Sequence, residues 1–458
     1  MENTYKFIRI DDNNSAYIEP STGFWTIFNY TAELIIGLFL QGVNIEDITK
    51  KMSELYNLPT EIFKDDVKKC IESFQKKLDS HKSSVKLLSV CEEKNGHLTI
   101  HLTNTCNLKC PYCYKDANYL ERNDKELSVE EVINYIKVAA KSGFVKVTFS
   151  GGEPTLWEHF EVLVSELTAF KDMEFHLITN GTTNLSDKVI KNMCSVFASI
   201  QISIDSYAEE KNSATRGKGS LDKVNNFSKR LFYEGYKEFF YACTPYTHGM
   251  RNQSTIEDLP LMLRFAANMG SSGLYVNRLK PNGRQDKDDY KNFDEKEFWE
   301  NADKLYEEYS ILYKRGYNKK NNNNKELKCF VAGDPIEIIT NYSHKTSCGL
   351  GVSQLTIDSD GSVYPCSALI DKNLKIGNVR ESDFSVIINN AKELYQTVNV
   401  ETIEVCKECD FRLLCGGGCR AMAYYANNDI KSCDPNCSSC KERIKKWMNV
   451  SLLTNVQQ

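Results

Sequence analysis

Three cysteines on one short loop constrain this chain more than any other feature. Cys106, Cys110 and Cys113 follow directly after a stretch that alternates like a β-strand. Three thiolates cannot fill the four corners of a cubane, so their spacing predicts a 4Fe–4S cluster with one iron open to another ligand. Soft thiolate ligands suit iron–sulfur clusters. An open iron favours catalysis over a purely structural site.

The bulk composition is typical of a soluble protein with more than one domain. The chain has 458 residues, of which 41% are hydrophobic and 26% charged, and a net charge of −5 gives no reason to expect nucleic acid. We expect a cytoplasmic protein, because no apolar run is long enough to span a bilayer and Met1–Thr4 do not begin a signal peptide. In that compartment 17 cysteines predict metal or redox chemistry rather than disulfides. Cys70 and Cys194 lie in helix-like segments and are expected to be plain core residues.

The first eighty residues predict a small separate unit. Three strand-like stretches are followed by three helical stretches, and their predicted bounds are Tyr5–Ile10, Ser15–Glu19, Gly23–Asn29, Thr31–Gln41, Ile45–Tyr56 and Thr60–Leu78. This order suggests a winged-helix shape, which often binds DNA. Residues 1–80 carry nine Lys/Arg and thirteen Asp/Glu, a net charge of −4. A phosphate backbone is therefore a poor partner for this unit.

From about His97 to Leu279 strands and helices alternate, as in a parallel β/α architecture. The predicted strands are Leu98–Thr103, Val145–Ser150, Phe175–Thr179, Ile200–Ser203, Phe239–Cys243 and Leu274–Asn277. A capping box at Ser128–Glu131 is expected to open the first connecting helix. Six such units make a partial (β/α)6 barrel, in which the chemistry collects at the C-terminal ends of the strands.

Polar motifs end three of these predicted strands. The second strand is followed by Gly151, Gly152, Glu153 and Pro154, the third ends in Thr179 and Asn180, and the fourth ends in Ser203 with Asp205 just beyond it. Two glycines let a ligand approach the backbone closely, and a carboxylate there can accept a hydrogen bond from an ammonium group. The plainer alternative is that Asp205 only caps the next helix and that Arg216 is a surface charge.

Together these features resemble the radical SAM superfamily. Its cluster loop has the C-x3-C-x2-C pattern with an aromatic residue before the last cysteine, here Tyr112, and its Gly-Gly-Glu-Pro motif holds the amino group of S-adenosylmethionine. The resemblance implies that Cys106, Cys110 and Cys113 form the catalytic cluster site and that the bound SAM yields a 5′-deoxyadenosyl radical that abstracts hydrogen. The implied cofactor-binding residues are Tyr112, Gly151, Gly152, Glu153, Pro154, Thr179, Asn180, Ser203, Asp205 and Arg216. Arg216 would pair with the carboxylate of SAM.

A second group of cysteines follows, with a predicted β-hairpin at Gln354–Ile357 and Ser362–Tyr364 among them. Their succession behind a radical SAM core resembles the SPASM extension, which carries two auxiliary 4Fe–4S clusters. The resemblance implies that the first auxiliary cluster is held by Cys348, Cys366 and Cys419. It implies that the second is held by Cys406, Cys409, Cys415 and Cys437.

Departures from the SPASM pattern leave several alternatives open. Sulfatase-maturing members have a further cysteine just before the position of Cys348, and they usually have an aspartate where this chain has Ser367. The first auxiliary cluster therefore either has an open iron for a substrate thiolate or uses Cys329 as a distant ligand. Cys433 and Cys440 flank Cys437, so the last ligand of the second cluster is not decided by the sequence. Spacing alone does not exclude zinc at that site.

The predicted segments are 1–82, 95–318 and 326–458. The first resembles the PqqD-like recognition element of ribosomal peptide pathways, in which a leader peptide adds a strand to the sheet edge. A docking or oligomerisation domain is the alternative. The whole order resembles maturases that build thioether links in precursor peptides, of the sactipeptide and ranthipeptide type. Such an enzyme would take electrons from a donor such as flavodoxin or ferredoxin and would need neither nucleic acid nor a membrane.

Three other functions remain possible on the sequence. The first is a formylglycine-forming enzyme of the anaerobic sulfatase-maturase type. The missing cysteine, Ser367 and the extra N-terminal segment argue against it. Carbon–carbon cross-linking of peptide side chains is excluded by nothing in the sequence. An iron–sulfur sensor with a DNA-binding winged helix is disfavoured by the acidic N-terminal unit.

Overall fold

The computed structural model of the chain describes residues 5–91, 96–117, 126–250, 254–285, 287–315, 327–336, 339 and 344–453. These residues divide into two compact units. The first comprises Met1–Glu92, Asp334–Cys348 and Val398–Gln458, and the second comprises Glu93–Gly333 and Gly349–Thr397. The sequence predicts the cysteine-rich residues 326–458 as one segment, whereas the structure divides them between the two units.

The N-terminal part of the first unit is a small antiparallel sheet followed by three helices. Strands β1 (Lys6–Arg9), β2 (Asn14–Glu19) and β3 (Phe24–Asn29) pair in the order β1-β2-β3. The helices are α1 (Tyr30–Leu40), α2 (Ile45–Tyr56) and α3 (Thr60–Cys91). The strands and helices follow the predicted order, and α3 runs beyond its predicted end at Leu78 because no Gly or Pro interrupts residues 79–91. The winged-helix interpretation stays a prediction.

Local capping and an apolar core explain this part. The Asn44 side chain accepts a hydrogen bond from the Asp47 N–H and so begins α2. Tyr17, Ile36 and Phe74 are almost fully buried in one cluster that joins the sheet to α1 and α3. Burial of these large side chains is the main stabilising contribution that a unit of this size has.

Ten strands of the second unit form one mostly parallel sheet. Six of them correspond to the predicted barrel strands: β4 (Gly96–Thr103), β5 (Phe144–Gly151), β6 (Glu174–Thr179), β7 (Phe197–Ser203), β8 (Phe239–Cys243) and β9 (Gly273–Val276). The other four are β10 (Lys328–Val331), β11 (Gln354–Ile357), β12 (Ser362–Tyr364) and β13 (Gly377–Asn378). The order across the sheet is β10-β9-β8-β7-β6-β5-β4-β11-β12-β13, parallel from β10 to β11 and antiparallel thereafter.

Helices connect most of the barrel strands, as a parallel sheet requires. They are α4 (Val129–Lys141), α5 (Phe160–Leu167), α6 (Asp187–Val196), α7 (Glu209–Arg216), α8 (Ser220–Tyr233) and α9 (Leu259–Asn268), followed by α10 (Lys287–Tyr290), α11 (Glu295–Lys314) and α12 (Phe384–Tyr395). The predicted capping box is confirmed at α4. The Glu131 N–H donates to Ser128 Oγ at 3.2 Å, and the Ser128 N–H donates to Glu131 Oε2 at 2.8 Å.

Two strands join this sheet in a way that the sequence does not predict. The hairpin of β11 and β12 is confirmed, but β11 also pairs in parallel with β4, with Leu355 opposite Leu98. The four-residue strand β10 pairs in parallel with β9 and places Cys329 opposite Leu274. Pairing between segments more than fifty residues apart leaves no local periodic signal, and this explains both omissions.

The remaining helices belong to the first unit. They are α13 (Glu404–Lys407), α14 (Arg412–Cys415), α15 (Arg420–Asn427) and α16 (Cys437–Leu453). The N-terminal part contacts this region directly, because Lys6 Nζ lies 2.7 Å from Asp410 Oδ1. None of the helices in the described ranges has the length and hydropathy that crossing a bilayer requires.

Candidate cofactor site

The three cysteines that the sequence singles out lie on the loop that follows the carboxyl end of β4. The Leu108 N–H donates to Cys106 Sγ at 3.4 Å, and the Asn180 side-chain amide lies 3.9 Å from the same sulfur. Burial raises the pKa of Cys106 to about 12 and also raises the pKa of Cys110. These thiols therefore lose their protons readily only when a cation such as iron takes the place of the protons.

A second loop, not found from the sequence, clamps the cysteine loop. Arg284 Nη1 donates to the Cys110 carbonyl at 2.9 Å, and the Arg284 backbone N–H donates to the Cys113 carbonyl at 2.9 Å. Arg284 Nε also pairs with Asp116 Oδ1 at 2.9 Å. Gly283 has a φ of +60° and lies so close that an added Cβ would be 2.2 Å from the Cys113 carbonyl oxygen. A side chain at position 283 would therefore push the clamp away from the cysteines.

We expect the Gly283→Ala variant to lose more stability than its backbone conformation alone explains. The left-handed φ should cost about 1–2 kcal/mol, and displacement of the clamp should bring the total to about 3 kcal/mol or more. Urea unfolding would measure the stability, and iron content per chain after reconstitution would show whether the cysteine loop still assembles a cluster.

Gly235→Ala is the matched control for this variant. Gly235 has a similar φ of +75°, but nothing lies within 4 Å of a Cβ added there. The control should show only the backbone cost and normal iron content. Equal losses in the two variants would contradict the clamp.

Gly151, the last residue of β5, and Gly152, which follows it, both lie close against the backbone of the end of β4 and the cysteine loop. The Gly152 N–H donates to the Thr103 carbonyl at 2.7 Å, and the Glu153 N–H donates to the Thr105 carbonyl at 2.8 Å. A Cβ added to Gly152 would lie 2.2 Å from the Thr105 carbonyl oxygen, and one added to Gly151 would lie 2.4 Å from the Thr103 carbonyl oxygen. The sequence suggests close approach of a ligand at these glycines, and the structure shows close approach of the strand to the cysteine loop.

Glu153 is a fully buried carboxylate among uncharged donors. It accepts hydrogen bonds from the Thr155 hydroxyl at 2.5 Å, the Thr179 hydroxyl at 2.6 Å and the Asn180 N–H at 2.7 Å. Burial raises the pKa of Glu153, against the opposing effect of these hydrogen bonds. A buried carboxylate of this kind is better satisfied when a cation binds beside it. The site is thus suited to an ammonium group.

Asp205, Arg216 and Tyr112 form one buried group. Arg216 Nε lies 2.9 Å from Asp205 Oδ2, and Arg216 Nη2 donates to the Tyr112 hydroxyl at 2.7 Å. The Tyr112 hydroxyl in turn donates to Asp205. The plainer alternative for these residues is wrong, because Arg216 is 7% exposed and the cap of α7 is Ala208 rather than Asp205. The structure brings Tyr112 of the cysteine loop onto both residues.

Two further predicted residues lie at the same end of the sheet. Ser203 is the last residue of β7, and Pro154 opens a 3-10 turn after β5. Next to Tyr112 is an apolar group that the sequence does not reveal. Tyr246 packs edge-on against Tyr112, with ring centroids 5.7 Å apart, and is buried with Met250 and Leu279. Local periodicity contains no signal for this group, since it joins Tyr246 and Met250 of the loop after β8 to Leu279 after β9.

The cysteine-rich region of the first unit contains Cys348, Cys406, Cys409, Cys415, Cys419, Cys433, Cys437 and Cys440, whereas Cys366 and Cys329 belong to the second unit. Asp434 holds two of these stretches together, because its Oδ2 accepts the Cys419 N–H at 2.6 Å. The Sγ atoms of Cys415 and Cys440 are 3.6 Å apart. A hydrogen bond from the Cys440 thiol lowers the pKa of Cys415 to about 7.

Comparison with known proteins decides the family. Residues 100–266 match the radical SAM superfamily, and residues 348–410 match the SPASM family, an iron–sulfur cluster-binding domain. The first match contains the three-cysteine loop, Glu153, Asp205 and Arg216. The chain contains a radical SAM domain followed by a SPASM domain.

Curated relatives align over most of this radical SAM protein. An uncharacterised protein of Archaeoglobus fulgidus is 29% identical over 77% of this chain and 80% of its own length. The mycofactocin maturase MftC of Mycolicibacterium smegmatis is 24% identical over 81% of this chain and 86% of its own length.

Solved structures share the fold of this radical SAM protein. Streptococcus suis SuiB bound to the precursor peptide SuiA superimposes with a TM-score of 0.57 at 15% identity, over 95% of this chain and 98% of that one. The native anSMEcpe enzyme with bound AdoMet gives a TM-score of 0.59 at 21% identity, over 79% of this chain and 98% of that one.

The residues of the radical SAM domain fit its cofactors. Three thiols on one loop leave a fourth cluster corner open, and the raised pKa of buried Glu153 marks a place for a cation. In the described part of the chain, no three His, Cys, Asp or Glu side chains are close enough to hold a single metal ion. The number of clusters stays a prediction.

Proposed function

We propose that this radical SAM protein installs thioether cross-links in a ribosomally synthesised precursor peptide. The observation that supports a peptide substrate is the extent of the likeness to SuiB, which covers 95% of this chain and therefore includes its N-terminal sheet and helices as well as the barrel. The thioether itself rests on the resemblance of the domain order to thioether-forming maturases. SuiB is bound to a precursor peptide in that structure, and the MftC relatives are mycofactocin maturases. A precursor peptide is thus the best-supported substrate class.

The residues of the second unit have distinct tasks in this proposal. Cys106, Cys110 and Cys113 would hold the cluster, Glu153 would bind the ammonium of SAM, and Arg284 would keep the cysteine loop in place. Bound SAM would supply a 5′-deoxyadenosyl radical that takes one hydrogen atom from the peptide. The apolar side chains of Tyr246, Met250 and Leu279, buried beside Tyr112, would exclude water from the reacting carbon.

The balance of the reaction gives the SPASM domain a role. Forming one sulfur–carbon bond removes a hydrogen atom from the acceptor carbon, a proton from the cysteine thiol and one further electron. We infer that this electron leaves through an auxiliary cluster held by the SPASM cysteines. Cys348, Cys366 and Cys419 would hold one auxiliary cluster, and Cys406, Cys409 and Cys415 would hold the other with Cys437. The 3.6 Å distance between Cys415 and Cys440 makes Cys440 the competing fourth ligand.

The N-terminal part of the first unit would bind the leader peptide. Among the described residues its sheet has three strands, so β1 and β3 are both edge strands to which an extended peptide can add. Lys6 of β1 pairs with Asp410, which places the β1 edge beside the cysteine-rich region. A flavodoxin or ferredoxin would deliver the electron that starts each turnover.

Mass spectrometry of an anaerobic reaction tests the proposed function. Reconstituted protein, SAM and a chemical reductant would be incubated with the short cysteine-containing peptide expected to be encoded beside this gene. Loss of two hydrogens per site, together with a thiol that no longer reacts with an alkylating reagent, would establish the thioether. The same mass loss with a free thiol would move the assignment to carbon–carbon linkage. Release of deoxyadenosine with an unchanged peptide would overturn the substrate class.

Scrambling the leader of that peptide should lower turnover by roughly 10- to 100-fold, because the peptide would lose the strand that it adds to the sheet edge. Cleavage of SAM should persist, since in this proposal the leader binds the N-terminal sheet and SAM binds beside Glu153. The matched control is a peptide with the same number of changes after the last modified residue. Equal turnover of the scrambled and natural leaders would contradict leader docking.

A further inference from the structure

A buried ion pair joins the cysteine loop to the hairpin of β11 and β12 inside the second unit. Lys115 Nζ lies 2.5 Å from Asp358 Oδ1, and the two side chains are only 2% and 12% exposed. Lys115 comes two residues after Cys113, and Asp358 opens the turn of the hairpin that leads to Cys366. A buried ion pair is weak evidence for stability, because desolvation offsets most of the attraction. The pair therefore calls for a functional explanation.

His101 and Tyr114 extend this ion pair into a network. His101 Nδ1 lies 3.3 Å from Asp358 Oδ1, and His101 Nε2 lies 3.2 Å from the Tyr114 hydroxyl. The Tyr114 hydroxyl also lies 3.2 Å from Ser150 Oγ, next to the glycines of the cofactor site. Burial lowers the pKa of His101, so its neutral ring donates to the carboxylate and accepts from the tyrosine.

The network contains one full charge of each sign. Burial raises the pKa of Asp358, but the hydrogen bond from His101 and the Lys115 ammonium outweigh burial and hold this pKa well below its ordinary value. Asp358 is thus a carboxylate, and its charge offsets the ammonium of Lys115. The other two members, His101 and Tyr114, are neutral and hold the ion pair in one geometry.

A second set of hydrogen bonds connects the same two segments, the cysteine loop after β4 and the segment that contains Cys366. Asn282 Nδ2 donates to the Ala368 carbonyl at 3.1 Å, and the Ala368 N–H donates to Cys366 Sγ at 3.4 Å. The neighbouring Arg284 binds the carbonyls of the cysteine loop. The loop after β4 and the segment of Cys366 are therefore joined at two places within one unit.

We propose that the Lys115–Asp358 ion pair positions the cysteine loop and that its charge balance sets the reduction potential of the cluster which this loop holds. An ammonium near the loop favours the reduced cluster, which is more negative, and a carboxylate favours the oxidised one. Charges act more strongly in a dry interior than in water. Loss of either partner therefore leaves the cluster under the uncompensated charge of the other partner. The inference rests on the cluster assignment made above and does not depend on the peptide.

Opposite charge changes on the two sides of the pair provide the test. We expect Asp358→Asn to raise the midpoint potential of the SAM-site cluster and Lys115→Met to lower it. Each should change the ratio of reduced to oxidised cluster at a fixed solution potential by about tenfold, which corresponds to about 59 mV for one electron. The double variant should return close to the parent value. Redox titration with dithionite, followed by electron paramagnetic resonance, measures this for the signal that changes on adding SAM.

Arg380→Met is the matched control. Arg380 Nε pairs with Glu131 Oε1 at 2.7 Å, likewise between the barrel and the segment after the hairpin, but the two side chains are 32% and 29% exposed. This variant should leave the potential unchanged. If Asp358→Asn does not load iron, the sign of the shift is still tested by comparing Lys115→Met with the double variant, which has no unpaired charge: the midpoint potential should rise from the first to the second. Asp358→Glu keeps a carboxylate beside Lys115 and should have the parent potential.

Shifts of the same sign in the two single variants, or no shift in either, would overturn the inference. Because no peptide is present in the titration, failure of the proposed function would not affect this result. If only the proposed function is wrong, the variants will show the expected midpoint potentials while the protein leaves the peptide unmodified.

Discussion

The Cys110→Ala variant should lose cleavage of S-adenosylmethionine almost completely. Changes around metal ligands typically cost 10- to 100-fold, so the loss of a ligand should cost roughly 10³-fold or more. Cys110 lies at the middle of the cysteine loop, and its carbonyl is held by Arg284 at 2.9 Å. Removing the thiol should therefore leave the loop in place and remove one corner of the cluster. Deoxyadenosine release under anaerobic conditions and iron content per chain measure the two effects.

Cys194→Ala is the matched control for this prediction. Cys194 is a half-buried residue of α6, and this burial raises the pKa of its thiol to about 12, so the thiol is expected to stay protonated. This variant should keep its iron and its cleavage rate. Residual cleavage in Cys110→Ala close to that of the parent, or equal losses in the two variants, would contradict the assignment of the cluster to the loop after β4.

The Glu153→Gln variant should bind SAM roughly 10- to 100-fold more weakly. A charge-assisted hydrogen bond contributes about 1.5–3 kcal/mol, and the amide cannot supply the charge that an ammonium group requires. The glutamine would also turn an NH2 group towards donors such as the Asn180 N–H, which now lies 2.7 Å from Oε2. Calorimetric titration of the iron-loaded protein with SAM measures the change in affinity.

The pH dependence of SAM binding gives this prediction a second readout. Burial raises the pKa of Glu153, and only the ionised carboxylate attracts an ammonium. The affinity of the parent should therefore fall as the pH is lowered towards that raised pKa, and the affinity of Glu153→Gln should not follow this trend. Glu158→Gln is the control, because Glu158 has a side chain that is 66% exposed. Unchanged affinity in Glu153→Gln would contradict the ammonium site.

Local signals were sufficient for most of the helices and strands. The bounds of α2 and β8 agree with the predicted Ile45–Tyr56 and Phe239–Cys243, and the hairpin of β11 and β12 agrees as well. Helix caps, alternating apolar residues and turn residues act within a few positions of one another, so they can be read in order along the chain. The predicted end of α3 at Leu78 is too early, because no Gly or Pro interrupts residues 79–91 and the helix continues to Cys91.

The components of the candidate site were equally visible in the sequence, but not their partners. Cysteine spacing located the loop at 106–113, and the glycine pair located Glu153. No local pattern indicates that Arg284 holds the Cys110 carbonyl across 174 positions, or that Lys115 meets Asp358 across 243. Sequence also suggested that Arg216 binds a ligand carboxylate, and the structure places its guanidinium on Asp205 and Tyr112.

The sequence by itself therefore determined the family, the order of the strands and helices, and the residue types that can hold a cluster and an ammonium group, because each depends on short spacings. Only the tertiary structure decided which distant side chains surround those residues. The parallel pairing of β11 with β4 brings the hairpin turn at Asp358 beside the cysteine loop, and it does so through backbone hydrogen bonds that any sequence of suitable strand residues would form. Such pairing has no signature in either segment alone, so the charge balance around the cluster appears only in the folded chain.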